Sequence, residues 1–316
     1  MSQRRRRRLA IASSQTAAGS SGWRSTDMNR DAVLITPVQL RGLLDSGRDV
    51  VLLDVRWELG RTDGQHAYLD GHLPGAVFVD LETELAGPPS PEEGRHPLPT
   101  LEDLEDHARR WGVRSESAVV VYDAVGGLSA ARAWWLLRWG GHADVRILDG
   151  GLAGWLAAGG VLGTDVPDPV RGDVELVGHQ MPVVDADGAA AVAAGDGILL
   201  DARAAERFRG EVEPVDPRAG HVPGAVSAPT SSALVDGAFL PDDLLRPHFE
   251  GLGVDVASHQ PGVPGPDQEV AVYCGSGVTA SHEIAALAAV GVTAALYPGS
   301  WSQWSNDSSR EVATGA

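Results

Sequence analysis

The only cysteine of this 316-residue chain, Cys274, opens the sequence Cys-Gly-Ser-Gly-Val-Thr, which ends at Thr279. A short apolar run at 269–273 precedes it and predicts a buried strand, and a helical pattern follows it. In a parallel α/β sheet, ligands bind where strand ends meet helix starts. Gly275 and Gly277 let the loop curl so that its backbone N–H groups point inward. We therefore expect Cys274 to be held as a thiolate, the nucleophilic form of the thiol.

A lone cysteine is more often a small buried hydrophobe at a strand end. The Gly-Ser-Gly loop between strand and helix favours the chemical role. A single cysteine excludes an intramolecular disulfide and a CxxC pair. A cysteine-based phosphatase would need an arginine after five intervening residues to clamp the phosphate, and that position is Ala280.

The overall charge narrows the range of partners. The formal net charge is −18, and all 25 basic residues are arginine. Nucleic-acid binding depends on clustered positive charge, so nucleic acid is not expected as a partner. No apolar run approaches the roughly 18 residues that span a bilayer. We expect a cytoplasmic protein with no membrane contact.

The first 30 residues are treated separately from the fold. A basic block, Arg4 to Arg8, is followed by only four apolar residues, too few for a secretory signal. We expect residues 1–30 to be a disordered tail, or an extension upstream of Met28 as the working start. A targeting role is the alternative.

Several landmarks occur twice, in the same order and at an offset close to 150 residues. The hexapeptide beginning at Gly71 returns at Gly220, and a Leu-Leu-Asp-x-Arg motif occurs in both halves. Val-Tyr-Asp, ending at Asp123, matches Val-Tyr-Cys, ending at Cys274. The repeat indicates two complete domains, and Asp123 stands where the first copy would carry its cysteine.

Each copy alternates apolar β-branched runs with amphipathic stretches, the pattern of a mainly parallel sheet flanked by helices. We predict domains at 31–160 and 181–316, joined by a linker at 161–180. Thr36 and Thr100 are predicted N-caps of helices. The predicted strands are 50–54, 77–79, 118–122 and 145–148 in the first copy, and 197–201, 225–227, 270–273 and 294–297 in the second. A loop rich in Gly and Pro is expected at 258–268.

These motifs together resemble the tandem rhodanese superfamily of sulfurtransferases over residues 31–305. They are the loop from Cys274 to Thr279, the two Gly-His-x-Pro-Gly-Ala hexapeptides, Asp201-Ala202-Arg203 with Arg207-Phe208, and Gly299-Ser300-Trp301 with Trp304. The resemblance implies an α/β fold of two tandem rhodanese-like domains, with catalysis in the second. An aspartate cannot accept sulfane sulfur, so the first domain would be structural.

The neutral residues after the cysteine resemble the 3-mercaptopyruvate branch, because thiosulfate enzymes typically carry two basic side chains there. That resemblance implies a hydroxyl relay from Ser276 to a histidine and an aspartate of the first domain. The motif match assigns them to His72 and Asp63. The alternatives are a packing or capping role for His72 and a solvated turn for Asp63.

Two arginines would hold the donor's carboxylate and keto groups, a task suited to planar guanidinium. Arg207 matches the first by resemblance. The second is expected near Val215, and Arg218 is the nearest substitute. Either could instead be an exposed ion-pair partner. Gly275, Gly277, Val278 and Thr279 would line the site and bind the persulfide.

The expected reaction is double displacement. Cys274 takes sulfur from 3-mercaptopyruvate and passes it to cyanide, a small thiol or a reduced thioredoxin-like acceptor. No metal or organic cofactor is expected. The alternatives are a thiosulfate sulfurtransferase and a non-enzymatic sulfur-relay or binding module.

Overall fold

The computed structural model describes residues 29–260 and 268–316. Most of the predicted tail, and residues 261–267 of the predicted loop, lie outside these ranges. Asn29 and Arg30, which the sequence assigned to the tail, are part of the fold. Asn29 caps the first helix by accepting a bond from the amide of Ala32 at 3.1 Å. Arg30 forms an ion pair with Asp149 at 3.0 Å.

The first domain is built on a five-stranded parallel sheet in the order β1-β5-β4-β2-β3. Its strands are β1 (Leu34–Ile35), β2 (Val50–Asp54), β3 (Val77–Phe78), β4 (Ala118–Tyr122) and β5 (Val145–Leu148). Its helices are α1 (Arg30–Val33), α2 (Pro37–Asp45), α3 (Gly64–Asp70), α4 (Leu81–Glu84), α5 (Leu101–Arg110), α6 (Ala130–Trp139) and α7 (Gly151–Ala157).

The second domain repeats this plan with a four-stranded parallel sheet in the order β11-β10-β6-β7. Its strands are β6 (Ile198–Asp201), β7 (Val226–Ser227), β10 (Val270–Tyr273) and β11 (Ala295–Leu296), with an antiparallel hairpin of β8 (Leu234–Val235) and β9 (Ala238–Phe239). Its helices are α8 (Ala186–Ala194), α9 (Ala205–Phe208), α10 (Asp242–Gly251), α11 (Val278–Ala289) and α12 (Ser300–Trp304).

The local signals in the sequence explain most of these elements. The central strands β4 and β10 are buried along their whole length, as expected of apolar runs covered on both faces. Thr36 and Gln39 form a reciprocal capping box at the start of α2. The hydroxyl of Thr100 accepts a bond from the amide of Asp103 at the start of α5. All eight predicted strands occur within a residue of their predicted ends.

The sequence did not predict the two-residue strands β1, β8 and β9. β1 lies at the edge of the first sheet, and β8 and β9 form a two-stranded sheet of their own.

The two domains pack through α6 and α11, the helices that follow β4 and β10. Every residue of α6 is buried, and α11 is buried at all but one position. Helices that are apolar on every side belong to a protein interior. One apolar cluster therefore runs from the first sheet through both helices to the second.

The segment at 160–183 contains no helix or strand; its first part lies against the first domain, and Pro182 accepts a bond from the amide of Leu296 in β11 at 3.0 Å. The amide of Gly172 donates to the carbonyl of Arg109 at 2.7 Å, and the amide of Gln180 donates to that of Trp139 at 3.0 Å. Of the helices in the described ranges, none combines the length and hydropathy needed to cross a bilayer.

Candidate active site

Cys274 follows the last residue of β10, and the loop after it leads into α11. Its side chain is 2% exposed and lies at the base of a cleft. The amide of Gly277 donates to its sulfur at an N–Sγ distance of 3.1 Å. The first amides of a helix have no intrahelical acceptor, so α11 also presents its positive end to this loop. The loop thus places a backbone N–H donor against the sulfur at the start of a helix.

Donors outside the loop hold its carbonyl groups. The amide of Trp301 donates to the carbonyl of Cys274 at 3.0 Å, and that of Ser302 to the carbonyl of Gly275 at 2.9 Å. Arg132, in α6 of the first domain, donates to the carbonyl of Gly277 at 3.3 Å. Both domains therefore fix the curvature of the loop.

Gly277 must be glycine for two reasons. Its φ angle is +79°, in the left-handed region that L side chains rarely adopt. A Cβ at this position would also lie 2.7 Å from the carbonyl oxygen of Pro298. Any larger residue would displace the amide that donates to Cys274.

The cleft above the cysteine has a volume of about 290 Å³ and is lined by both domains. Its first-domain residues are Trp57, Leu59 and Arg95; its second-domain residues are Ala202, Arg203, Ala204, Arg207, Pro229, Thr230, Ser231, Cys274, Gly275, Ser276, Val278 and Thr279. Arginine is the only ionic residue type in this lining, apart from the cysteine, so the cleft suits a small anionic ligand.

Ser276 begins a hydrogen-bonded chain that crosses the domain interface. Its hydroxyl lies 2.7 Å from Nδ1 of His96, and Nε2 of His96 lies 3.0 Å from Oε2 of Glu82. Trp57 donates to the other carboxylate oxygen of Glu82 at 2.6 Å. Burial lowers the pKa of His96 below its ordinary value, and Glu82 opposes that change. A neutral His96 with Nε2–H directed at Glu82 can accept the hydroxyl proton at Nδ1.

The predicted pairing of Ser276 with His72 is wrong. Nδ1 of His72 lies 2.8 Å from the carbonyl of Tyr68, and its ring stacks on Tyr68 at 3.9 Å. Its repeat counterpart His221 lies 2.7 Å from the carbonyl of Phe208 and stacks on that ring at 3.7 Å. The same packing in both copies indicates a structural role, in agreement with the packing alternative that the repeated hexapeptide offered.

Asp63 also lies away from the cysteine. It forms an ion pair with Arg61 at 2.8 Å, and its side chain is 57% exposed. Arg61 lowers the pKa of Asp63. Asp63 lines a separate first-domain cleft of about 70 Å³. The predicted relay aspartate is thus replaced by Glu82.

Two arginines flank the residue after the cysteine. A Cβ built on Gly275 would lie 3.0 Å from Nη2 of Arg95 and 3.4 Å from Nη1 of Arg207. Arg207 was predicted at this site, whereas Arg95 was not. The amide of Arg95 donates to the hydroxyl of Ser302 at 3.0 Å, which ties this part of the first domain to α12.

The structure places Arg218 elsewhere, so its prediction as a ligand of the donor is wrong. Its guanidinium donates to the carbonyls of Trp304 and Ser305 at 2.7 Å and of Arg310 at 2.8 Å. These bonds hold the chain after α12. In the structure Arg95, rather than Arg218, lies beside Arg207 next to Gly275.

Arg132 is a buried cation behind the cysteine loop. Besides Gly277, its guanidinium donates to the carbonyls of Leu85, His96 and Pro97. Burial lowers its pKa to about 10, and an ionised Cys274 opposes that change. In the described residues no carboxylate forms an ion pair with Arg132, so its charge remains available to attract an anionic sulfur.

Arg95 and His96 were missed because they have no landmark in the repeat. They lie in the irregular, proline-rich stretch 85–100 between α4 and α5. An Arg-His pair in such a loop is itself a functional signal, because loops held by a rigid scaffold often carry binding residues.

The fold and the cleft define a tandem α/β protein whose cysteine loop lies in an arginine-lined cleft between the two domains. The family described as "Rhodanese-like domain" matches residues 36–158 and 186–307. The chain belongs to the rhodanese-like family. The predicted superfamily, the fold class of two rhodanese-like domains and the enzyme class of sulfurtransferase are confirmed.

Curated relatives and solved structures match nearly the whole chain. A Mycobacterium tuberculosis protein named "Putative thiosulfate sulfurtransferase SseB" is 47% identical over 90% of this chain and 98% of its own. A "Probable 3-mercaptopyruvate sulfurtransferase" of Pseudomonas aeruginosa is 44% identical over 90% of this chain and 99% of its own. The crystal structure of SseA from Escherichia coli, titled as a 3-mercaptopyruvate sulfotransferase, superposes with a TM-score of 0.72 at 33% identity, covering 85% of this chain and 98% of that one.

Proposed function

We propose that this protein transfers sulfur from 3-mercaptopyruvate to a thiophilic acceptor through a persulfide on Cys274. The observation that carries the proposal is the position of the Cys274 sulfur. It accepts a backbone N–H bond at the base of an arginine-lined cleft, beside the chain of Ser276, His96 and Glu82. The name of the Pseudomonas aeruginosa relative supports the same donor.

In the first step the thiolate of Cys274 attacks the donor's sulfur. A new S–S bond forms while the donor's C–S bond breaks, and the electron pair of that bond goes to the enolate of pyruvate. The enolate is protonated and leaves as pyruvate. Arg95 and Arg207 would hold the donor's carboxylate during this step, since guanidinium binds carboxylates in a bidentate manner.

The proton of the donor's thiol has to move as its sulfur is transferred. Ser276 lies two residues after Cys274, and its hydroxyl already contacts a histidine ring nitrogen. A neutral His96 would accept this proton through Ser276, and Glu82 would stabilise the resulting imidazolium. The same chain can return the proton to the enolate.

In the second step an acceptor such as cyanide, a small thiol or a reduced thioredoxin-like protein attacks the outer sulfur. The S–S bond breaks and its electron pair returns to Cys274 as thiolate. The amide of Gly277 and the buried charge of Arg132 would stabilise both the persulfide anion and the thiolate that leaves. No redox cofactor is needed, because electrons balance within each step.

Mass spectrometry and kinetics test the proposal together. After mixing with 3-mercaptopyruvate, we expect Cys274 to gain the mass of one sulfur atom and to lose it when cyanide is added. Turnover should follow ping-pong kinetics. An unmodified Cys274, or full turnover by Cys274→Ser, would contradict the proposal.

Thiosulfate is the second candidate donor, and the name of the Mycobacterium tuberculosis relative favours it. Its sulfane sulfur carries no proton, so this reaction would not need the chain from Ser276 to Glu82. Initial rates with the two donors, compared at equal enzyme concentration, decide between them. A protein inactive with both would be a binding module.

A further inference from the structure

Asp216 links the two arginines that flank the cysteine loop. One carboxylate oxygen pairs with Nη1 of Arg95, from the first domain, and the other lies 3.1 Å from Nη2 of Arg207, from the second. The side chain of Asp216 is only 3% exposed, and it is not among the residues that line the cleft. The carboxylate therefore lies behind the two guanidinium groups and holds them from the buried side.

The opposite edges of the same guanidinium groups are directed at the active site. Nη2 of Arg95 and Nη1 of Arg207 are the atoms closest to a Cβ built on Gly275, at 3.0 and 3.4 Å. Because each guanidinium has five N–H donors, the pairing with Asp216 leaves others for a ligand. The two domains thus present a pair of positioned donors next to Cys274.

The charges around this part of the cleft balance. Three arginines line it, Arg95, Arg203 and Arg207. Each is paired with a buried carboxylate: Arg203 with Asp201 at 2.6 Å, Arg207 with Glu213 at 2.7 Å, and Arg95 with Asp216. These three pairs offer directional hydrogen bonds and add no net positive charge of their own. Such a site can orient one carboxylate but gives little net attraction to a second negative charge.

We propose that Asp216 is a specificity-determining residue, which holds Arg95 and Arg207 for a monoanionic carboxylate donor and disfavours a dianion such as thiosulfate. This inference rests on the proposed function for its choice of donors. The role of Asp216 is separate from that of the neutral residues that follow the cysteine, because Asp216 contacts Arg95 and Arg207 and not the sulfur.

The first test needs no sulfur transfer. Cys274 is the only cysteine, so its alkylation by iodoacetate, an anion, and by iodoacetamide, its neutral analogue, reports the electrostatics of the cleft. Arg95→Gln is expected to lower the ratio of the iodoacetate rate to the iodoacetamide rate about tenfold, and Asp216→Asn to raise it several-fold. Arg209→Gln and Glu211→Gln are matched controls, since these two residues pair with each other near the surface.

An unchanged ratio in both Arg95→Gln and Asp216→Asn would overturn the inference. A ratio that falls in Asp216→Asn would also overturn it, because the carboxylate would then be needed only to position the arginines. Iodoacetamide rates and circular dichroism identify any variant whose fold is disturbed. In that case Asp216→Glu, which keeps the charge, must preserve the wild-type ratio.

The second test measures the choice of donor. In Asp216→Asn, kcat/KM for thiosulfate relative to that for 3-mercaptopyruvate should rise about tenfold, chiefly through a lower KM for thiosulfate. No change in this donor ratio would overturn the inference. If the wild-type protein used neither donor, the proposed function would fail, whereas the alkylation ratio would still decide whether Asp216 controls anion binding at Cys274.

Discussion

The carboxylate of Asp123 occupies in the first domain the position that the thiol of Cys274 occupies in the second. One oxygen of Asp123 accepts bonds from the amides of Val125 and Gly127, both at 2.8 Å. The other accepts bonds from the amides of Ser129 and Ala130, at 2.8 and 3.0 Å. The first copy thus keeps a ring of inward-facing amides but fills it permanently with its own anion.

Replacing this internal anion should weaken the first domain. In Asp123→Asn one oxygen becomes an NH2 group, so two loop amides lose their acceptor and face a donor instead. We expect a loss of about 3 kcal/mol in the free energy of unfolding, measured by urea denaturation. The exposed substitution Asp70→Asn should have almost no effect. Equal stabilities for Asp123→Asn and wild type would show that the four bonds contribute little.

The hydrogen bonds that link Ser276, His96 and Glu82 should affect turnover with 3-mercaptopyruvate but not with thiosulfate. Ser276→Ala and His96→Asn are expected to lower kcat with 3-mercaptopyruvate about 100-fold, because the donor's thiol proton loses its relay. Thiosulfate carries no such proton, so its slower turnover should change little. Equal losses with both donors would indicate a structural role for the chain.

His72 provides the matched control for that experiment. Since its ring packs on Tyr68 and bonds to backbone carbonyls, His72→Asn should lower the melting temperature and leave the ratio of the two donor activities unchanged. A changed ratio of the two donor activities would show that His72 acts on the donor.

Gly277→Ala should prevent efficient sulfur loading. The substitution combines an unfavourable φ of +79° with a contact of 2.7 Å to the carbonyl of Pro298. We expect the rate of persulfide formation on Cys274 to fall more than about 100-fold, measured by mass spectrometry. Gly237→Ala is the control, because that residue has φ +77° but no atom within 4 Å of a built Cβ. It should lose a little stability and no activity.

Glu283, in α11, should make stability depend on pH. Glu283 is fully buried, and this burial raises its pKa from 4.5 to about 8, a change that the side chain of Thr230 opposes. Between these values the unfolded chain releases a proton that the folded chain keeps. The contribution of Glu283 to the free energy of unfolding therefore falls as pH rises, by at most about 1.4 kcal/mol per pH unit. Below pH 4.5 both states carry the proton and the contribution vanishes.

Glu283→Gln removes this dependence. Its stability relative to wild type should increase between about pH 5 and pH 8, measured by urea unfolding at each pH. The exposed Glu250→Gln should show no such trend. A constant difference between Glu283→Gln and wild type would mean that Glu283 is not protonated in the folded protein.

The sequence predicted the structural features that depend on residues close to one another in the chain. The strands around Cys274, the caps at Thr36 and Thr100, and the loop before α11 follow from apolar runs, capping residues and glycines. The repeat revealed the second domain and the lost cysteine at Asp123. These signals lie within a few residues of the features that they predict.

The partners of Ser276 and Arg207 could not be predicted in the same way. Arg95 and His96 reach them from the other domain, across an interface that depends on how α6 and α11 pack. The assignment of His72 was wrong because it depended on a motif match alone, whereas its ring packs on Tyr68 as the ring of His221 packs on Phe208. A group used once in a duplicated chain is the better candidate for chemistry.

Arg132, in the first domain, donates a hydrogen bond to the carbonyl of Gly277 in the cysteine loop of the second domain. A protease cut within 160–183, followed by separation of the two halves, would remove the first-domain residues that lie beside the cysteine loop. These residues are Arg132, His96 and Arg95. The first domain, which has Asp123 where the repeat places a cysteine, thus supplies part of the surroundings of Cys274 in the second domain. Sulfur transfer would therefore require both domains in one chain, although only the second contains a cysteine.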